Sequence, residues 1–236
     1  MRLFNCKKKT DLIYFKESAI AHQFLDGLNG IEVGGNTQNS FGLETTGGYV
    51  NVDFDATQGA KWQAGDFPPK LVNIVADGDN LPFKDNSLDY VISSHVLEHF
   101  FDPIKTIKEW LRVVHPGGYV FFIVPHKERT YDKQRPVTSV QELKDRHEGR
   151  LKPEDYLIMT IPELSTTDLP ADYMKQYSGK DIPEGYERLT KNSHRHQTVW
   201  NYHNMLELCH EYNFNVIYSA EIDDKVGSGF TVILQK

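Results

Sequence analysis

The sequence predicts an α/β fold built on an open, mostly parallel sheet, and three observations predict it. Val72, Ile74 and Val75 form a short apolar run that stops at Asp77, and Leu88 to Ile92 form a second that stops at Ser93-Ser94-His95. Short apolar runs bounded by polar turns suit strands covered on both faces. Between residues 102 and 124, a capped helical pattern, a Pro-Gly-Gly turn and the run YVFFIV follow one another, as in a helix that feeds a buried strand. The chain then closes with two apolar runs joined by DDKVGSG, a hairpin-like ending. Open sheets of this kind bind ligands beyond the carboxyl ends of their strands. Asp77 and the pair Ser94-His95 are therefore expected at a ligand edge.

The elements follow in order. Ile20, Phe24 and Leu28 recur at helical spacing, with Ala21 and Leu25 beside them, so residues 17–28 read as a helix that covers the sheet or the ligand mouth. Residues 31–35, IEVGG, read as a first strand ending in glycines, which let the backbone turn sharply and approach a ligand. The dinucleotide fingerprint G-x-G-x-x-G is absent, which disfavours a nicotinamide enzyme. YVNVD, residues 49–53, is a second strand ending in an acid, with Asp55 as the near alternative. Residues 56–70 form a polar loop carrying Trp62. Asp102 caps a helix with Pro103 at its first position and Ile104, Ile107, Leu111 and Val114 as its buried stripe. His115-Pro116-Gly117-Gly118 ends that helix, with His115 complementing its dipole, and residues 119–124 make the fifth strand. Residues 199–212 read as a helix, and 214–219 and 230–234 as the last two strands.

The chain has 236 residues, 39% hydrophobic and 25% charged, the composition of one globular domain. A net charge of −7 does not suggest a broad basic surface, so no nucleic-acid partner is expected. No apolar run approaches the roughly 20 residues that span a bilayer. MRLFNCKKKTD lacks the apolar core of a signal peptide. Cys6 and Cys209 provide neither a disulfide framework nor a four-thiolate site, and a cytoplasmic location is expected.

Asp77-Gly78-Asp79-Asn80-Leu81-Pro82-Phe83, then Asn86-Ser87-Leu88-Asp89, then His95-Val96-Leu97-Glu98-His99, carry a resemblance to the class I S-adenosylmethionine (SAM) methyltransferases of the methyltransferase type 11 group. It extends over roughly residues 28–125, with a weaker echo at the C-terminus. The resemblance implies a Rossmann-like sheet, mostly parallel with an antiparallel last strand, and SAM as the cofactor. It implies cofactor-binding roles for Glu32, Gly34 and Gly35 after the first strand. Asp53 would take the ribose hydroxyls, because a carboxylate offers two acceptor oxygens. Asp77 and Gly78 would take adenine, and Ser94 and His95 the methionine part. The chain departs from the family pattern at Asn36 and Gln38, which stand where later glycines are usual.

Residues 126–197 form a long insertion after the fifth strand, rich in Tyr and Pro, with a helix expected from Ser139 to His147. It is read as an acceptor-binding cap within a single domain spanning 1–236. His126, at the end of the fifth strand, is the first candidate for the catalytic base, and His99 is the second. His194 and His196 could reach back from the far end of the insertion. No metal is assigned, although a cation held by two or more of these histidines competes with the base. H-x-x-E-H at 95–99 also matches a zinc-peptidase signature, which needs a helix to place both histidines on one face. Here the motif directly follows a strand.

The expected function is methyl transfer from SAM to a small polar acceptor. Similarity of IEVGG and HRHQTVW to methyltransferases linked to surface-glycan biosynthesis makes a sugar or nucleotide-sugar hydroxyl the first candidate. The alternative is a non-catalytic SAM- or small-ligand-binding protein. Oligomeric state is left open.

Overall fold

The computed structural model describes residues 17–35, 41–44, 46–51, 72–153 and 196–236, apart from the side chains of Asn51 and Tyr131. The expected residues Asn36, Gln38, Asp53, Asp55, Trp62, His194 and Cys6 lie outside them, as does most of the insertion.

A helix, α1 (Ala19–Leu25), leads into strands β1 (Gly30–Val33), β2 (Thr46–Asn51), β3 (Ile74–Val75) and β4 (Leu88–Ser94). Helix α2 (Pro103–Val113) and strand β5 (Val114–Pro125) follow. The further α-helices and strands of the described residues are α3 (Val140–His147), α4 (Tyr202–Glu211), β6 (Val216–Ala220) and β7 (Gly229–Gln235). The described strands make one seven-stranded sheet in the order β3-β2-β1-β4-β5-β7-β6. β1 to β5 pair in parallel, whereas β7 runs antiparallel to both neighbours. This is the mostly parallel Rossmann-like sheet with an antiparallel last strand that the resemblance implied.

Two apolar layers sandwich the sheet. On one side Ala21 and Leu25 of α1 join Phe41, Tyr90, Ile92, Phe121 and Ile233. On the other, Ile104, Ile107, Trp110, Leu143, Met205 and Leu208 of α2, α3 and α4 pack on Val91, Val120 and Val232. The alternation along β4 and β5 follows from the pleat, which sends neighbouring side chains to opposite faces.

Local chemistry sets the helix starts. The Ser18 hydroxyl accepts from the Ala21 amide at 3.0 Å, and the Asp102 carboxylate accepts from the Lys105 amide at 2.9 Å. Ser139 caps α3 in the same way through the Glu142 amide at 3.1 Å. Each cap satisfies one amide that the first turn leaves unbonded. α1 is shorter than its apolar stripe suggested, because Gly27 takes φ 79° and ends it.

The Pro-Gly-Gly segment corrects an expectation. α2 ends at Val113, and Val114 already pairs with Leu88 as the start of β5. His115 is therefore a strand residue, whose Nε2 meets the Asp89 carboxylate at 2.9 Å rather than the end of a helix. The register shift between Leu88 and Tyr90 absorbs the extra residues, as a bulge does.

Candidate active site

The carboxyl ends of β1, β3, β4 and β5 gather Glu32, Asp77, Ser94, His95 and His126 along one edge of the sheet. Glu32 is buried at 2% exposure, and Gly34 and Gly35 follow directly. Gly34 has φ 75°, a region costly for other residues. A Cβ there would lie 2.3 Å from the Val96 side chain, so the β1 turn and the β4 exit approach more closely than a larger residue permits. The Gly34 amide donates to the Val50 carbonyl at 2.8 Å, which holds the turn against β2.

Asp77 is exposed and Gly78 buried. A Cβ on Gly78 would meet Phe100 at 2.7 Å and Val33 at 2.9 Å. The Trp110 indole donates to the Gly78 carbonyl at 2.8 Å. Arg112 donates to the Phe83 and Leu81 carbonyls at 2.9 and 3.1 Å, and Glu109 accepts from the Leu81 amide at 2.7 Å. One face of α2 thus fixes the whole loop that carries the DGDNLPF motif.

At the end of β4 the chain turns at His95, whose φ is 54° and whose amide donates to the Ile123 carbonyl at 2.9 Å. Burial pushes the His95 imidazole down to about 4, so the ring is neutral at pH 7. Its Nε2 and the Ser94 Oγ are both buried without a hydrogen-bond partner. Buried polar atoms are seldom left so, and these two belong to residues at the end of β4, the edge where the sequence places a ligand.

The next turn, a short 3₁₀ helix at Leu97–His99, builds a second cluster. Glu98 is fully buried, and neither of its carboxylate oxygens accepts a hydrogen bond. Its Oε1 lies 3.8 Å from His95 Nδ1, 3.7 Å from His99 Nε2 and 3.6 Å from His196 Nε2. Burial raises the Glu98 carboxyl well above the usual carboxylate range.

Backbone pairing brings His196 there. The Gln197 and Thr198 amides both donate to the Glu98 carbonyl, at 2.7 and 3.1 Å, and the Gln197 side chain donates to the His99 carbonyl at 2.7 Å. Arg146 of α3 donates to the carbonyls of Phe101 and Gln197 and to the Thr198 hydroxyl, tying both flanks of the insertion to this turn. Behind His196, its Nδ1 meets the buried Asp132 carboxylate at 2.6 Å. Burial works to raise the Asp132 carboxyl, but His196 and Arg135 together outweigh it and hold that carboxyl below the ordinary range.

His126 stands apart from this cluster. It precedes the 3₁₀ turn Lys127–Arg129, and its Nδ1 accepts from the Glu128 amide at 3.2 Å. Its ring packs edge-on against Phe230 with centroids 6.2 Å apart, and burial followed by the charge of Arg129 lowers its pKa. His95 and His99 do not share a helical face, because one sits at positive φ and the other in a 3₁₀ turn. The zinc-peptidase pattern therefore lacks its scaffold.

Three buried ionisable groups escaped the sequence reading. Glu98 passed as part of a motif, and Asp132 went unremarked within the insertion. Lys225 lay inside what read as a plain hairpin loop, yet it is buried at 4% exposure with its Nζ 5.0 Å from the Phe41 ring centroid. Burial lowers the Lys225 pKa, and the charges of Glu32 and Asp223 oppose that shift. The Asp223 carboxylate accepts from the amides of Lys225, Gly227 and Gly229 at 3.1, 3.0 and 2.7 Å, which folds the loop back toward the β1 end. Aspartate followed by closely spaced glycines is the one signal that could have revealed this loop.

Residues 32–122 match the family described as a methyltransferase domain, 91 residues of the 236. The chain is 43% identical over 49 residues to malonyl-[acyl-carrier protein] O-methyltransferase of Marinomonas sp. (strain MWYL1), covering 21% of this chain and 18% of that protein. It is 40% identical over 70 residues to an uncharacterized methyltransferase of Mycobacterium sp. (strain KMS), covering 30% and 27%. It is also 40% identical over 67 residues to the human "Probable tRNA methyltransferase 9B", covering 26% and 15%. The chain thus spans less than a third of the length of each of these relatives. The crystal structure of a SAM-dependent methyltransferase from Aquifex aeolicus superposes with a TM-score of 0.49 at 15% identity, over 94% of this chain and 89% of that one. The fold described above rests on strand order and register, not on that superposition.

Proposed function

We propose that this chain is a SAM-dependent methyltransferase that acts on a small polar acceptor. The observation that carries the reading is the β1 turn: a buried acid, Glu32, followed by Gly34 at φ 75°, at the ligand edge of a sheet ordered β3-β2-β1-β4-β5-β7-β6. When bound, SAM supplies a methyl group already activated by the positive charge on its sulfur. The chain's contribution is then positioning, which alone lowers barriers substantially. Ser94 Oγ and His95 Nε2, buried without partners, suit a polar ligand at this edge. Asp77 and Gly78 are assigned to adenine, Asp53 to the ribose hydroxyls, Ser94 and His95 to the methionine part, and Glu32, Gly34 and Gly35 to the turn against which the cofactor lies.

An acceptor hydroxyl must lose its proton, and geometry favours the cluster at Glu98, His99 and His196 over His126 for handling it. In neutral His126 the only lone pair is on Nδ1, and that atom already accepts from the Glu128 amide. Residues 126–197 remain assigned as the acceptor cap of a single domain. A sugar or nucleotide-sugar hydroxyl is the first candidate acceptor, because the described part of the cluster offers histidines and carboxylates that suit a polar group. A tRNA acceptor, as the name of one relative suggests, fits a net charge of −7 poorly.

Calorimetry with SAM and S-adenosylhomocysteine, followed by a methyl-transfer assay on free sugars, nucleotide sugars, acyl carrier protein and tRNA, tests the reading. Binding with turnover of a sugar supports it. Turnover of carrier protein or tRNA alone overturns the acceptor assignment. Binding without turnover of any acceptor favours a SAM-binding protein, and no binding overturns the whole proposal.

A further inference from the structure

We propose that Glu98, His99 and His196 form a binding site for one divalent transition-metal cation, with Asp132 as the outer carboxylate that orients His196. Occupancy of the site is independent of the methyl-transfer reading, and only its use by an acceptor rests on that reading.

Four observations converge on it. One ligand atom from each of Glu98, His99 and His196 lies within 4.8 Å of the other two. Two ligands held about 2.1 Å from a tetrahedral cation sit roughly 3.4 Å apart. The observed separations of 3.6 and 3.7 Å from Glu98 Oε1 to the two imidazole Nε2 atoms need only shifts of a few tenths of an ångström.

The second observation is Glu98 itself. A fully buried carboxylate with no hydrogen bond to either oxygen is costly unless something neutralises it. At 3.6–3.8 Å the surrounding imidazoles are too distant to hydrogen-bond it. A shared cation supplies the missing partner and draws the imidazoles in.

The third is the arrangement behind His196. Its Nδ1 meets Asp132 at 2.6 Å, and Asp132 is in turn paired with Arg135 at 2.6 Å. A carboxylate on Nδ1 fixes the tautomer that leaves Nε2 as the ligand atom, as carboxylate–histidine–metal arrangements do. That Nε2 is the atom facing Glu98.

The fourth is rigidity. The Gln197 and Thr198 amides clamp the Glu98 carbonyl, so the two chain segments that carry the ligands are joined at the site. A preformed site loses less freedom on binding than one that must be assembled.

Two imidazoles and one carboxylate suit zinc, iron(II), cobalt(II) or nickel(II) better than calcium or magnesium, which prefer all-oxygen sites. Three protein ligands leave coordination positions for water or for an acceptor hydroxyl, whose proton a cation makes easier to remove. This use of the motif differs from a zinc peptidase. There the two histidines of H-x-x-E-H bind metal, whereas here the ligands are Glu98 and His99, joined by a histidine from the far end of the insertion.

The test uses the full chain stripped of metal by chelator, titrated with cobalt(II) and followed by visible absorption, then with zinc by calorimetry. One equivalent should bind, with d–d bands of four- or five-coordinate cobalt. His196→Ala and His99→Ala should each weaken binding at least a hundredfold. Asp132→Asn should weaken it by about 10–100-fold, and His210→Ala, an exposed control, should not change it. Circular dichroism establishes that each variant is folded, and if one ligand variant fails to fold the other decides. SAM calorimetry on the stripped protein separates the two readings: metal binding without SAM binding leaves the cation site standing and removes methyl transfer. No saturable binding to the wild-type chain, or undiminished affinity in a folded ligand variant, overturns the proposal.

Discussion

The ligand edge of this sheet is built in two ways. At β1, β3 and β4 the proposed cofactor residues come from short stretches read in place: Glu32 and Gly34, Asp77 and Gly78, Ser94 and His95. Around Glu98 the groups come from far along the chain, with Asp132 and His196 separated by 64 residues and Gln197 and His99 by 98. The first region owes its geometry to strand ends and turns, which local sequence dictates. The second owes it to backbone pairing across an insertion, which local sequence does not.

The two regions should respond differently to substitution. The largest effect is expected at the cluster. His99→Ala should lower kcat for the correct acceptor by about 10²–10⁴-fold, the range for a lost proton-handling group, while SAM affinity stays within about twofold. Steady-state kinetics beside SAM calorimetry checks the split, and a parallel loss of SAM affinity would merge the regions into one.

Next comes the link that holds the insertion's flanks. Arg146 is buried at 3% exposure and bonds Phe101, Gln197 and Thr198. Arg146→Ala should cost on the order of 3 kcal/mol, because several buried carbonyls lose a charged donor. Urea unfolding measures it, and a loss below about 1 kcal/mol would show the flanks are held by other contacts.

A smaller effect belongs to the cofactor platform. Asp77→Ala removes a hydrogen bond to the proposed adenine group, on the order of 1.5–3 kcal/mol for a charged partner. SAM should bind roughly tenfold or more weakly, with kcat at saturating SAM little changed. Unaltered affinity would remove Asp77 from the site.

The smallest effect lies outside both regions. The Pro116 carbonyl and then Asp89 raise the His115 pKa, while the Asn29 amide leads the effects that lower that of Asp89. A raised histidine stabilises the fold below its unfolded value of about 6.5, and that stabilisation disappears as pH rises through the folded value. The lowered Asp89 keeps its charge throughout this range. Wild type should therefore melt slightly above His115→Gln at pH 6 and coincide with it well into the alkaline range. A gap that widens with pH would contradict the pairing.

The same division governs what the sequence made legible. Asp102-Pro103 and Ser139 marked their helices because a cap needs a particular oxygen within three residues. The run ending at Ser94 marked β4 because burial on both faces leaves no alternation, whereas the run ending at Asp77 marked β3 although Val75 is exposed and the strand is not covered on both faces as expected. His115 misled because a histidine before Pro-Gly-Gly looks the same after a helix as within a bulged strand. His126 drew attention by its place at a strand end, yet nothing in the sequence indicated that the Glu128 amide would occupy its Nδ1. The grouping of Glu98 with His196 and Asp132 had no local mark, since it depends on Thr198 and Gln197 finding the Glu98 carbonyl.

The central claim is that β1 and β4 hold SAM while the Glu98 cluster serves the acceptor. Calorimetric titration of SAM into wild type, Gly34→Ala and His196→Ala tests it most directly. A Cβ on Gly34 needs a strained backbone and would lie 2.3 Å from Val96, so the turn must open. The account predicts one SAM site in the wild type, binding at least tenfold weaker in folded Gly34→Ala, and wild-type affinity in His196→Ala. Absence of SAM binding to the wild type, or a loss in His196→Ala equal to that in Gly34→Ala, would contradict it.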